Sequence, residues 1–287
     1  MDQRIIDLYD DFVHRHFDRR LFLERAAKVL GSAAAAAAAL PLLQSDYAKA
    51  EVVKPDDPRL KAERVTLKGA SGELKAYLAT PASGGKKGGV VVVHQNRGLN
   101  PHIEDIARRL AVDGFEALAV DFLSPLGGTP KDEDQAMGMF GKLDRTQAAA
   151  DARAAITWLR ARPDSNGKVA ILGFCWGGGI VNLVAETDPS LNAGVVYYGE
   201  FPPLDKVADI KAPLLLNYAD PKLDTRLGAG LPGYEQALKA AGKSFTVYTY
   251  EGANHAFNDD TQQARYNTTA AKTAWDRSIT FLKQTIA

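Results

Sequence analysis

The sequence predicts an α/β fold, a mostly parallel sheet with helices on both faces and an antiparallel hairpin at its N-terminal side. Three observations predict it. Glu63 to Lys68 and Glu73 to Thr80 alternate apolar and polar residues around Ala70-Ser71-Gly72, the pattern of a hairpin. The later runs Gly89-Val90-Val91-Val92-Val93 and Val169-Ala170-Ile171-Leu172 are continuously apolar, as strands covered on both faces are. Between such runs lie helical patterns, and strands alternating with helices give a parallel sheet.

Composition narrows the function classes. The 287 residues are 46% hydrophobic, enough for one large core. Lysine plus arginine equals aspartate plus glutamate at 35 each, which argues against a dedicated nucleic-acid surface. Cys175 is the only cysteine, so an internal disulfide framework and a CxxC zinc site are excluded. The histidines His14, His16, His94, His102 and His255 form no HExxH pattern.

Residues 1–50 differ from the remainder. Asp18-Arg19-Arg20-Leu21-Phe22-Leu23 carries paired arginines, and the alanines 33–39 with Leu40-Pro41-Leu42-Leu43 make a weakly apolar stretch. Ala48-Lys49-Ala50 has the small-residue spacing of a signal-peptidase site. Together they resemble a twin-arginine export leader, which implies export machinery as a partner and a periplasmic or otherwise exported protein. A permanent membrane span wants about 20 strongly apolar residues, so none is expected in the mature protein. The alternative is an uncleaved N-terminal helix that packs or tethers. Residues 51–287 are read as one domain.

The elements follow in order. Asn100 caps a helix with Pro101 at its first position and Ile103, Ile106, Ala107, Leu110 and Ala111 as its buried stripe; Gly114 ends it. Phe115 to Val120 is a strand, and Asp121 to Asp134 a long loop. Gln147 to Arg160 is a helix with Ala150, Ala154, Ile156, Trp158 and Leu159 on its apolar side. Ala193 to Tyr198, Pro213 to Tyr218 and Phe245 to Tyr250 are strands. Pro232 to Ala241 and Thr261 to Thr285 are helices.

The chemistry centres on Gly173-Phe174-Cys175-Trp176-Gly177. It sits between an apolar strand and an apolar helix start, the order a nucleophile elbow requires, with glycines two before and two after the strained nucleophile. A thiolate there is favoured by the helix N-terminus. The thiol needs a base, and His255 lies in a loop just after the last strand, on the edge where open α/β sheets carry their catalytic loops. The acid should follow the Pro213–Tyr218 strand, where spacing leaves both Asp220 and Asp224 open.

Gly173-Phe174-Cys175-Trp176-Gly177-Gly178, Asn254-His255-Ala256-Phe257 and a strand-end aspartate resemble the dienelactone hydrolase family of the α/β-hydrolase superfamily. The resemblance covers residues 60–285 and is closest to an exported branch, through His94-Gln95-Asn96-Arg97-Gly98-Leu99-Asn100 and Leu223-Asp224-Thr225-Arg226. It implies an α/β-hydrolase fold, Cys175 as nucleophile, His255 as base then acid, and Asp224 as the orienting acid. It implies an oxyanion hole from the backbone N–H groups of Trp176 and Asn96. The expected activity is hydrolysis of an ester or lactone through an acyl-enzyme, with no metal or organic cofactor. Where the family carries a glutamate this chain has Gln95, which cannot take a proton. That leaves His255 as the one acceptor for the thiol proton. Gln95 and Arg97 are candidate pocket residues, Arg97 for a substrate carboxylate or else a structural ion pair. His94 reads as structural. Two other classes stand beside the hydrolase. One is a non-catalytic binding protein, kept open by Gln95. The other is a thiol redox protein, disfavoured by the missing second cysteine.

Overall fold

The computed structural model of the chain describes residues 1–15, 17–47 and 51–287. Its strands form one sheet: β1 (Leu60–Lys68), β2 (Glu73–Pro81), β3 (Lys87–Val93), β4 (Glu116–Val120), β5 (Ser165–Phe174), β6 (Ala193–Tyr197), β7 (Leu214–Ala219) and β8 (Phe245–Tyr250). The order is β1-β2-β4-β3-β5-β6-β7-β8. β2 pairs antiparallel with β1 and β4, and every pair from β4 to β8 is parallel. Residues 88–93 of β3 and 169–174 of β5 are buried throughout, because helices cover both faces there. Parallel pairing carries the C-terminal ends of β3, β5, β7 and β8 to a common edge.

The helices start where capping residues stop the strand-to-helix loops. α4 (Pro101–Val112) begins at Asn100, whose side chain accepts the Ile103 N–H at 3.1 Å. α6 (Arg145–Arg160) begins at Asp144 in the same way. Its buried face is Ala148, Ala149, Ala152, Ala155, Ile156 and Leu159, rotated from the expected stripe; Ala150, Ala154 and Trp158 are only half-buried. Alanines on every side of that helix leave the apolar face degenerate in sequence. The expected loop 121–134 runs into α5 (Glu133–Phe140), which Asp132 caps through the Gln135 N–H.

α7 (Trp176–Thr187), α8 (Thr225–Gly228) and α9 (Leu231–Ala240) follow β5 and β7. α10 (Thr268–Ile286) starts seven residues later than the pattern suggested. Asn267 caps it. Asp259 folds the preceding residues into turns by accepting from the Thr261 hydroxyl and the Gln262 amide, both at 2.5 Å.

The N-terminal region packs as three helices, α1 (Gln3–Arg15), α2 (Arg19–Leu30) and α3 (Ala33–Leu43). Ile5, Tyr9, Phe12, Phe22 and Leu40 share an apolar cluster with Met137 of α5. Asp18 and Ser32 cap α2 and α3. The paired arginines open α2, where Arg19 meets Asp134 at 2.8 Å and Arg20 meets Glu24 at 3.0 Å. No single described helix is long and apolar enough to cross a membrane; α2 and α3 pass that test only together, and they are bent by 114°. Ala48-Lys49-Ala50 lies outside the described residues.

Where β5 turns into α7, backbone rests on backbone. A Cβ on Gly177 would stand 2.6 Å from the His94 carbonyl oxygen, and one on Gly173 would stand 2.5 Å from the Gly177 carbonyl carbon. Neither neighbour is a flexible side chain, so β3 and α7 would have to separate. Gly177→Ala is therefore expected to cost about 1–3 kcal/mol, read as a lower urea midpoint with an unchanged slope. Gly233→Ala in α9, where no atom lies within 4 Å of the added Cβ, should raise the midpoint slightly through helix propensity. Equal midpoints for the two variants would disprove the close-contact argument.

Candidate active site

Cys175 follows β5 at φ 53° and ψ −116°, a conformation that side-chain-bearing residues rarely hold. Its N–H donates to the Tyr197 carbonyl at 2.9 Å, which ties the turn to the end of β6. The next residue, Trp176, opens α7, so its N–H belongs to the unpaired first turn of a helix.

His255 follows β8, and its Nδ1–H donates to Asp224 Oδ2 at 2.8 Å. Asp224 follows β7 and also caps α8 through the Leu227 N–H. Asp220 faces elsewhere, accepting the backbone N–H groups of Lys222 and Gly252, both at 2.9 Å. Of the two aspartates left open by spacing, Asp224 is the one against His255. The His255 Nε2 is buried and has no hydrogen-bond partner among the described residues.

A histidine outside the expected set completes the cluster. His14 of α1 places Nε2 3.3 Å from Cys175 Sγ. Its Nδ1 donates to the Asp10 carbonyl at 2.8 Å and lies 3.3 Å from the Asp10 carboxylate. Asp10 is held in turn by Arg265 at 3.3 Å, with Arg226 at 3.9 Å. Burial pushes the Cys175 thiol up, but the charge of His14 and then that of His255 pull it well below its ordinary range. Burial opposes charge on both imidazoles as well. The Cys175 and Asp10 charges nonetheless raise His14, and Asp224 followed by Asp10 raises His255. Sequence reasoning missed His14 and Asp10. The signal was Ile5, Ile6, Tyr9, Phe12 and Val13 at helical spacing, with Asp10 and His14 one turn apart on the neighbouring face.

The loop after β3 departs from expectation. Asn96 lies beside Cys175, with its side-chain amide on the Val13 carbonyl at 2.9 Å. Gln95 and Arg97 do not line the cavity at Cys175. Gln95 turns away to donate to Asp259 at 3.2 Å. Arg97 is buried between Glu133 at 3.1 Å and the Tyr9 hydroxyl at 2.9 Å, the structural ion pair among its two expected roles. His94 accepts the Phe122 N–H at Nε2 and stacks on Trp176; burial holds it below its ordinary range, so it is neutral scaffold.

A cavity of about 200 Å³ opens at Cys175, lined by Val13, His14, Phe140, Arg145, Trp176 and Arg226 among others. A larger cleft of about 510 Å³, bounded by Val53, Arg109 and Trp275, is lined by no cysteine, serine or histidine. Among the described residues, two groups have donor atoms within 4.8 Å of one another, close enough for a metal ion: His14-Cys175-His255 and His102-Asp259-Asp260. A metal in the first would bind the Cys175 sulfur and both imidazoles. In the second, both carboxylates already have partners in Gln262, Thr261 and Arg109.

Residues 74–286 match the model of the dienelactone hydrolase family, and residues 1–28 match a second model described as YqhI-like. A Salmonella typhi protein named as a carboxymethylenebutenolidase is 31% identical over 249 residues, spanning 81% of this chain and 91% of its own. A Bradyrhizobium protein named as a 2-oxo-3-(5-oxofuran-2-ylidene)propanoate lactonase is 32% identical over 75% of this chain and 91% of its own. The crystal structure of a Klebsiella pneumoniae protein titled as a dienelactone hydrolase superposes with a TM-score of 0.69 at 29% identity, covering 78% of this chain and 99% of that one. The chain belongs to the dienelactone hydrolase family.

Proposed function

We propose that this protein hydrolyses a small carboxylic ester or lactone, with Cys175 as nucleophile. The observation that carries the reading is the alignment of three groups on one sheet edge: a thiol at a strained elbow, an imidazole with an unpartnered Nε2, and a carboxylate fixing its other nitrogen. The sulfur attacks the carbonyl carbon, and the N–H groups of Trp176 and Asn96 receive the oxyanion. A thioester forms as the leaving oxygen departs. His255, held in one tautomer by Asp224, takes a proton from the water that releases the acid.

The substrate class follows from size and charge. A cavity of about 200 Å³ is smaller than drug-sized sites of about 300–1,000 Å³, which favours a small ring over a long acyl chain. Arg145 and Arg226 line it, sharing Glu200 between them. Either guanidinium could turn to a substrate carboxylate. The names carried by the Salmonella and Bradyrhizobium relatives both describe lactones bearing such a group, which supports the same class here.

For the N-terminal region, three helices that share an apolar cluster, two of them capped by Asp18 and Ser32, support retention in the folded protein. The Arg20 side chain is 89% exposed and that of Arg19 52%, so a twin-arginine address stays readable in the folded chain. The localisation proposed is export with these helices kept.

Three measurements test this function. Cys175→Ala should abolish hydrolysis of a small aryl ester and of an unsaturated lactone while unfolding cooperatively like wild type; full activity in that variant would rule out the thiol mechanism. Asp224→Asn should lower kcat by on the order of 10⁴, the scale seen when a triad acid is lost, and Asp220→Asn far less; the reverse ranking would reassign the acid. The exported protein should have the intact mass of about 30.9 kDa, whereas a species lacking its first 50 residues would show a removed leader.

A further inference from the structure

We propose that His14, carried into the site by α1, is a catalytic residue that accepts the Cys175 proton and holds the resting nucleophile as a thiolate. The N-terminal helix is then part of the catalytic centre. The inference rests on the hydrolase reading above and adds a residue to it.

The argument is geometric first. His14 Nε2 is hydrogen-bonded to Sγ at 3.3 Å. His255 Nε2, the expected acceptor, has no hydrogen-bond partner among the described residues. The His14 ring is oriented for the contact, because Asp10 engages Nδ1 through its carbonyl and stands beside it with its carboxylate. A histidine whose Nδ1–H is held this way presents a more basic Nε2. The two imidazoles meet edge to face, with ring centroids 4.8 Å apart and the sulfur beside both. Each has its own carboxylate behind it, Asp10 or Asp224.

The surrounding charges favour the ion pair. Asp10 offsets an imidazolium at His14 and is kept ionised by His255, His14 and Arg265. Arg226 of α8 and Arg145 of α6 bring positive charge to the cavity, and Glu200 after β6 pairs with both. The Tyr198 hydroxyl remains a neutral phenol, because burial, then Asp259 and Cys175, push its ionisation far up.

The proton balance gives each histidine a separate task. At rest the S–H bond is broken and the proton sits on His14 Nε2. On attack the S–C bond forms, the ester C–O bond breaks, and the leaving oxygen takes the His14 proton. His255 still holds its lone pair at Nε2. It removes a proton from water as the new C–O bond forms and the C–S bond breaks. Transfer of that proton to His14 restores the resting pair, and the product acid releases its own proton to solvent.

The test uses the full chain with His14→Gln, which keeps a hydrogen-bonding side chain but cannot take a proton, and Asp10→Asn, which leaves His14 in place with a weaker partner. The rate of alkylation by iodoacetamide is measured against pH, together with kcat and KM for a small aryl ester. Alkylation follows the thiolate, so it rises with pH through the thiol midpoint. Wild type should show a midpoint well below the ordinary thiol value of about 8.5. His14→Gln should move it up by a unit or more and lower kcat at pH 7 at least tenfold, with KM little changed. Asp10→Asn should move the midpoint the same way by less, and it serves as the readout if His14→Gln fails to fold. An unchanged midpoint, or a shifted midpoint with unchanged kcat, overturns the proposal. So does a rise in kcat, which would make α1 an inhibitory cover. Alkylation needs no turnover, so inactivity of wild type toward every ester and lactone would defeat the hydrolase reading while leaving the thiol titration to judge His14 separately.

Discussion

The structure depends on the approach of α7 to the sheet at the end of β5. Glycine at 173 and 177 lets main chain touch main chain there, and the following Gly178 does the same against β6, where an added Cβ would meet Gly199 Cα at 2.8 Å. At that contact Cys175 takes its positive-φ turn at the head of α7. The parallel order of β3, β5, β7 and β8 then decides which loops can reach this point. Asn96, Asp224 and His255 arrive from three different strand ends because the parallel strands share one C-terminal edge, not because they are near in sequence.

The second constraint is charge. The Cys175 sulfur, two imidazoles and two carboxylates are packed together in a largely buried site. Isolated charges in such a place are costly. Their alternation, Asp10 to His14 to Cys175 to His255 to Asp224, gives every charged form an opposite neighbour. Removing one member therefore disturbs the next, and effects on the thiol belong to the group as a whole. Arg265 extends the arrangement outward: it clamps Asp10 from the 259–267 turns and stacks over Tyr9 at 5.1 Å, so the same side chain fixes α1 to the domain.

How much was legible in the sequence follows from the kind of signal each part leaves. The hairpin, the parallel strands and the Asn100 cap could be read because periodicity and capping are local. Cys175 and its glycines could be read because the elbow is a contiguous motif. The buried face of α6 could not, since alanine fits either side of a helix. The start of α10 was misplaced because residues 261–267 contain helix formers, yet Asp259 draws their side chains into turns. His14 was invisible as a functional residue for a different reason. It lies 161 positions from Cys175, in a segment whose arginines and alanines suggest an export leader. The amphipathic stripe of α1 pointed to packing, but nothing local to the sequence says which loop a helix will cover.

Gln95 links these threads. The resemblance to the family leads one to expect a glutamate there, directed at the thiol. In this chain the side chain at 95 faces Asp259 instead, donating an amide hydrogen to it. A glutamate in the same place would set two carboxylates together in a buried site that already has Gln262 and Thr261 as its donors and His102 beside it. Repulsion between them would raise the affinity of one for a proton or drive the loop apart. Glutamine is therefore matched to Asp259. Asp259 in turn shapes the turn from which Arg265 reaches Asp10, and Asp10 orients His14 on the sulfur. The neutral residue at 95 and the imidazole delivered by α1 belong to one arrangement: with His14 set against the Cys175 sulfur, the side chain at 95 is left to pair with Asp259.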